Sequence, residues 1–164
     1  MTEFVLAKDT DAPAIAQLRQ RVWTETYRNI YPVEMIDHFD YEWHTRQDLV
    51  RIQSPAYLVY LIVEAGEPVG YLTLKKGEPL LLLSLYILAD YQHRGIGKAA
   101  FRLIWRYCAE QGIYGFTCQC QPQNERAMAF YHAMGGIVTA RDEENGEAWQ
   151  NSVTFHFETI DTMR

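Results

Sequence analysis

The segment Gln92-His93-Arg94-Gly95-Ile96-Gly97 constrains this chain more than any other stretch. An apolar run over 80–88 leads into it and a pattern of helical period over 98–111 leads out, which reads as strand, glycine turn, helix. Glycines 95 and 97 remove Cβ atoms where the backbone must turn sharply and come close to something. A helix start also leaves amide N–H groups unpaired at the positive end of its dipole, so such a turn suits a phosphate or pyrophosphate. Two commoner phosphate-binding signatures fail by letter. A Walker loop ending at Gly97-Lys98 needs glycine at 92 and serine or threonine at 99, where the chain has Gln92 and Ala99. A dinucleotide fingerprint needs glycine at 100, where it has Ala100.

Bulk properties narrow the classes. A length of 164 residues suits a single domain over 1–164 with a real core, and 48% hydrophobic with 22% charged residues suits a folded globular chain. A net charge of −6 argues against a sequence-independent nucleic-acid binder, and mildly favours cationic partners. Cys108, Cys118 and Cys120 lack a second Cys or His pair at zinc spacing, so they read as reduced core thiols, with no metal. Reduced thiols suit the cytoplasm. The opening Met1-Thr2-Glu3-Phe4-Val5-Leu6 has no basic region before an apolar stretch, and no apolar run reaches the roughly 18 residues needed to cross a bilayer. The expectation is a cytoplasmic protein with no membrane association.

Read in order, 3–7 is a short strand, and Thr10 or Asp11 caps a helix that carries Ile15, Leu18 and Val22 on one face and tolerates Pro13 in its first turn. Pro32 ends it; the aromatics between 23 and 31 belong either to the core or to the rim of a substrate pocket. Segments 33–39 and 42–52 are amphipathic helices, with Trp43, Leu49 and Val50 on the apolar side. Strands at 57–63, 69–75 and 80–88 form an antiparallel meander. After the central helix, Gly112 caps its end and 116–121 is a strand parallel to 80–88. Asn124 caps a helix presenting Ala127, Phe130, Tyr131 and Met134 inward, and Gly135-Gly136 stops it. Strands at 137–142 and 149–157 close the chain through a hairpin at Asn145-Gly146.

The pattern Gln92-x-x-Gly95-x-Gly97, with Leu85-Tyr86-Ile87 and Asp90-Tyr91 before it, resembles the loop after the fourth strand of the GNAT superfamily of acyl-CoA-dependent N-acyltransferases. A second block, Asn124-Glu125-Arg126-Ala127-Met128-Ala129-Phe130-Tyr131 followed by Met134-Gly135-Gly136, resembles that family's downstream motif in order and spacing. The order of elements is also the family's, so the resemblance spans nearly the whole chain. It implies an α/β (α+β type) fold: a mixed, mostly antiparallel sheet of about seven strands, splayed between strands 4 and 5 and flanked by about four helices.

The resemblance also implies roles. Acetyl-CoA would be the acyl donor, its diphosphate wrapped by amides from His93, Arg94, Gly95, Ile96, Gly97 and Lys98, with Arg94 or Lys98 adding charge. The backbone of Leu85, Tyr86 and Ile87 would pair with the pantetheine arm and polarise the thioester carbonyl. Asn124 would contact the cofactor, although capping alone explains an asparagine there. Tyr131 matches the tyrosine that protonates the departing thiolate; the bland alternative is a core aromatic. The family's usual glutamates fall at Leu81 and Gln119, neither of which accepts a proton, and Glu25, Glu64 and His132 are only loose substitutes, so the general base stays unassigned. The expected activity is acetyl transfer by direct attack in a ternary complex, onto a primary amine of a small molecule (polyamine-like or amino-sugar) or a peptide N-terminus. The alternative is a non-catalytic acyl-CoA sensor. Exposed β edges imply, by analogy, a homodimer.

Overall fold

The computed structural model describes residues 1–143 and 146–158. One sheet organises them, in the order β1 (Thr2–Leu6), β2 (Tyr57–Glu64), β3 (Glu67–Lys75), β4 (Leu80–Ile87), β5 (Gly115–Cys120), β7 (Ser152–Glu158), β6 (Ile137–Asp142). Every neighbouring pair is antiparallel except β4 with β5. A parallel pair needs a crossover, and α4 (Ile96–Gln111) supplies it. Helices α1 (Ala12–Thr26), the one-turn α2 (Val33–Asp37) and α3 (Tyr41–Gln53) precede β2, and α5 (Glu125–Ala133) follows β5. The mixed, mostly antiparallel α/β architecture is the expected one, with the short α2 added to four longer helices.

Each face of the sheet has its own core. On one, Leu72, Leu74, Leu80 and Leu82 pack against Phe101 and Ile104 of α4 and beside Phe116, Phe155 and Phe157. On the other, Val59, Leu61 and Tyr71 lie under Ile15, Leu18 and Val22 of α1. The middle of β3 is buried on both faces, which is why its sequence runs apolar without alternation. Each large side chain buried completely contributes about 1.5–3 kcal/mol. The three cysteines are free and buried within or beside the first core, and burial pushes Cys108 and Cys120 up to about 11.

Three expectations need correction. Neither Thr10 nor Asp11 caps α1 with its side chain: residues Asp9–Asp11 form a tight turn, and the Asp11 carboxylate accepts the Lys8 N–H at 2.8 Å. On α3, Trp43 and Val50 are 47% and 60% exposed. The inward residue is Asp48, which accepts both Arg19 guanidinium nitrogens at 2.6 and 2.8 Å. Apolar spacing located that helix but mistook its phase, because a carboxylate can face inward once a bidentate partner neutralises it. Lastly, Trp149 lies in a tight turn, Ala148–Gln150, and β7 begins only at Ser152. Asp142 pairs with Ser152, so positions 143–151 separate the strands instead of the expected 143–148; Asn145 itself lies outside the described residues.

Among the described residues, no helix is long and apolar enough to cross a membrane, and no group of three or more His, Cys, Asp or Glu can hold a metal.

Candidate active site

Strands β4 and β5 pair only from Leu80↔Phe116 to Leu82↔Cys118. Beyond that point β4 stays with β3, from Thr73↔Ser84 to Gly70↔Ile87, and β5 stays with β7 through Cys120↔Val153. A register shift opposite Thr73 and Leu74 leaves Leu83 as an extra residue in β4, and such a bulge bends its strand. The two strands therefore part, and a cavity of about 680 Å³ opens between them.

Alternation along β4 decides which backbone groups face the cleft. Leu88 N–H donates to Val69 on β3 at 2.9 Å, and the Tyr86 carbonyl comes down onto Gly70 of β3. The intervening Leu85 and Ile87 thus turn their N–H and C=O groups to the open side. One of those acceptors is already used, since Gln92 Nε2 donates to the Ile87 carbonyl at 2.9 Å. Tyr86 also lines the cavity, while its carbonyl faces β3.

The loop forms the end of the same cavity. Gly95 is the N-cap of α4 at φ +83°, with no side chain capping the helix. The first helical bond is Ala99 N–H to Gly95 C=O at 3.0 Å, so the amides of Ile96, Gly97 and Lys98 lie ahead of it without helical acceptors. Nothing lies within 4 Å of where a Gly95 Cβ would stand. His93 precedes it at φ +62°, an uncommon conformation for a side-chain-bearing residue. Lys98 and His93 line the cavity. Arg94 instead lays its guanidinium over the Tyr91 ring, 5.0 Å from its centre, and the second cation at the cavity is Arg126 of α5, which lies 3.4 Å from Gln92 Oε1. That residue belongs to the downstream motif, but no spacing rule in the sequence marked it.

Gly97 serves a different purpose from Gly95. A Cβ there would stand 2.8 Å from Phe130 Cζ, so what approaches it closely is α5. The Phe130 ring is itself held edge-on against Phe101 at 5.4 Å. Gly97→Val is expected to cost about 2 kcal/mol by overpacking this contact, seen as a melting temperature lower by about 5 °C; an unchanged melt would mean that Phe130 moves freely.

Tyr131 sits on α5 among Phe101, Phe155 and Phe157, 8% exposed, and lines the cavity. Burial is the main cause that raises its phenol well above the usual value, with the neighbouring thiols of Cys118 and Cys120 next. Asn124 does two things at once: its side-chain oxygen accepts the Ala127 N–H at 3.2 Å, and its amide lies 3.4 Å from the Tyr27 hydroxyl. Tyr27 stacks on Tyr31 at 4.7 Å, and Gln121 donates to Tyr31 at 3.1 Å. Tyr27 is thus both buried and cavity-lining, so the two readings of the 23–31 aromatics were not exclusive.

The loose base candidates lie elsewhere. Glu25 accepts the Ala89 N–H at 3.0 Å. Glu64 is engaged by the Thr2 hydroxyl and lies 3.3 Å from the N-terminal amine. His132 is exposed, set edge-on to the Phe155 ring. Leu81 is in the paired part of the sheet, and Gln119, which does line the cavity, lies 3.5 Å from Thr154 Oγ1.

Comparison with known proteins agrees with this geometry. The profile of the acetyltransferase (GNAT) family matches residues 14–135. Spermidine N(1)-acetyltransferase of Thermoplasma acidophilum is 27% identical over 141 residues, covering 80% of this chain and 86% of that protein. Among solved structures, the PaiA N-acetyltransferase of Thermoplasma acidophilum in complex with coenzyme A superposes with a TM-score of 0.80 at 22% identity, covering 96% of this chain and 99% of that one. RimL, the ribosomal L7/L12 alpha-N-protein acetyltransferase in complex with coenzyme A, gives 0.74 at 17% identity, covering 96% and 93%. With its split sheet, open helix start and family profile, the chain belongs to the acetyltransferase (GNAT) family and is an acetyl-CoA-dependent N-acetyltransferase.

Proposed function

We propose that the protein transfers the acetyl group of acetyl-CoA to a primary amine, of a small molecule or a peptide N-terminus, by direct attack while donor and acceptor are bound together. The observation that carries this reading is the single cavity running from the open start of α4, along the free edge of β4, to Tyr131. In this scheme the amides of Ile96, Gly97 and Lys98 hold the diphosphate, with Lys98 and Arg126 supplying positive charge. Leu85 and Ile87 pair with the pantetheine arm as an added strand, and an N–H on that edge polarises the carbonyl. The amine nitrogen attacks the carbonyl carbon, the carbon–sulfur bond breaks, and Tyr131 gives its proton to the departing thiolate. The proton of the attacking nitrogen passes to water, and water returns a proton to Tyr131.

The breadth of the acceptor class follows its relatives: one is a spermidine acetyltransferase and another acts on a ribosomal protein. Calorimetric titration with acetyl-CoA tests the donor half. Saturable binding at one site per chain with a micromolar Kd is expected, followed by coenzyme A release in the presence of a substrate amine. No binding would overturn the reading.

A further inference from the structure

A second cavity, of about 600 Å³, lies on the α1 and α3 face of the sheet. It adjoins the first across β4. Leu83, Ser84 and Tyr86 line both, and they belong to the stretch of β4 that carries the bulge and begins the free edge. A group in the second cavity therefore abuts the point where the thioester would lie.

Its walls say what would fit. Trp23 packs edge-on against Tyr31 and His44, at 5.1 and 5.2 Å, and Trp43 meets His44 at 4.9 Å while 47% exposed. Leu83 adds an aliphatic surface that is 40% exposed. Of the two carboxylates here, Asp48 is fully committed and Asp40, exposed at the rim, keeps Oδ2. Both oxygens of Asp48 are taken by Arg19, and Asp40 Oδ1 accepts the Trp43 N–H at 3.0 Å. The cations are Arg19, within that pair, and Arg51, 5.9 Å from the Tyr57 ring centre. His44 is held below its ordinary value, first by burial and then by Arg19, which keeps it neutral at pH 7. A flexible chain with a second and third ammonium would meet Arg19 and Arg51 with no uncommitted carboxylate pair to receive it, whereas a flat apolar ring would meet tryptophan, tyrosine and leucine.

Resting on the acetyl-transfer reading above, we propose that this second cavity seats the body of the acceptor, and that the acceptor is a small primary amine carrying an aromatic ring a few bonds from its nitrogen. The nitrogen reaches past Ser84 and Tyr86 to the carbonyl, and the ring stays against Trp23 and Trp43. This separates the protein from the spermidine acetyltransferase it resembles, although the donor half of the site is shared.

The test compares phenethylamine, ethylamine, spermidine and a short peptide as acceptors for the wild-type protein and for Trp43→Ala, with acetyl-CoA binding measured alongside. Wild type is expected to show a kcat/KM for phenethylamine at least tenfold above that for spermidine or the peptide. In Trp43→Ala the phenethylamine-to-ethylamine ratio should fall about tenfold, with the loss in KM rather than kcat. Spermidine or the peptide matching phenethylamine would overturn the inference, and so would a ratio untouched by Trp43→Ala. The wild-type panel decides the matter even if that variant folds poorly. Acetyl-CoA binding with a spermidine or peptide preference removes this inference alone; failure to bind acetyl-CoA removes the acetyl-transfer reading with it.

Discussion

Gly95→Asp is expected to weaken acetyl-CoA binding by about a thousandfold, roughly 4 kcal/mol, and to leave the fold standing. The substitution is mild for the protein itself. Nothing lies within 4 Å of the added Cβ, and although Gly95 holds φ +83°, aspartate is among the residues that enter this region at least cost. The N-cap bond that favours aspartate belongs to an extended residue, whereas Gly95 is left-handed, so the side chain relieves little of that strain. What harms the ligand is charge. Under the proposed scheme the amides at the start of α4 hold the diphosphate, and the variant sets a carboxylate beside the incoming anion. A calorimetric titration paired with a thermal melt separates the two effects. Unchanged affinity would remove the diphosphate from this loop; a collapsed melt would show that Gly95 is there for the turn alone.

Tyr131→Phe should lower kcat by about 100- to 1000-fold, the scale of a lost general acid, while the affinity for acetyl-CoA stays within about twofold. The ring stays, so its packing among Phe101, Phe155 and Phe157 is kept and the chain remains folded. The pH dependence follows from burial. The phenol is raised well above 10, so the protonated, donating form persists to higher pH than for a free tyrosine. Wild-type kcat should therefore show no alkaline decline attributable to Tyr131 up to about pH 10, and steady-state rates from pH 6 to 10 check this. A phenol with a depressed value would give a fall below that pH instead. Turnover in Tyr131→Phe equal to wild type would return this residue to the aromatic core.

Much of the fold was legible because it depends on local rules. The middles of β3 and β4 are mostly apolar since both faces of the sheet are covered, and the parallel β4–β5 pair follows from the helix between them. What misled were residues whose partner is distant in sequence. Asp48 faces inward only because Arg19, 29 positions earlier, neutralises it, and nothing local to α3 announces that. Trp149 belongs to a turn beside Tyr31 rather than to β7, a placement made by a contact across the chain.

The sequence by itself determined the glycine turn and open helix start that the proposed donor site uses. A glycine turn before a helix specifies backbone geometry, backbone geometry presents amides, and amides bind phosphate whatever surrounds them. The tertiary structure decided the rest. It distinguished Gly95, open to the cavity, from Gly97, closed by Phe130. It turned the backbone of Leu85 and Ile87 toward the cleft and that of Tyr86 toward β3, brought Lys98 and Arg126 to one end, and left Arg94 on Tyr91. It also set the second cavity beside the first at the bulge of β4. Strand register, bulges and ring contacts depend on pairs far apart in the chain, and a pattern read along one strand carries no information about them.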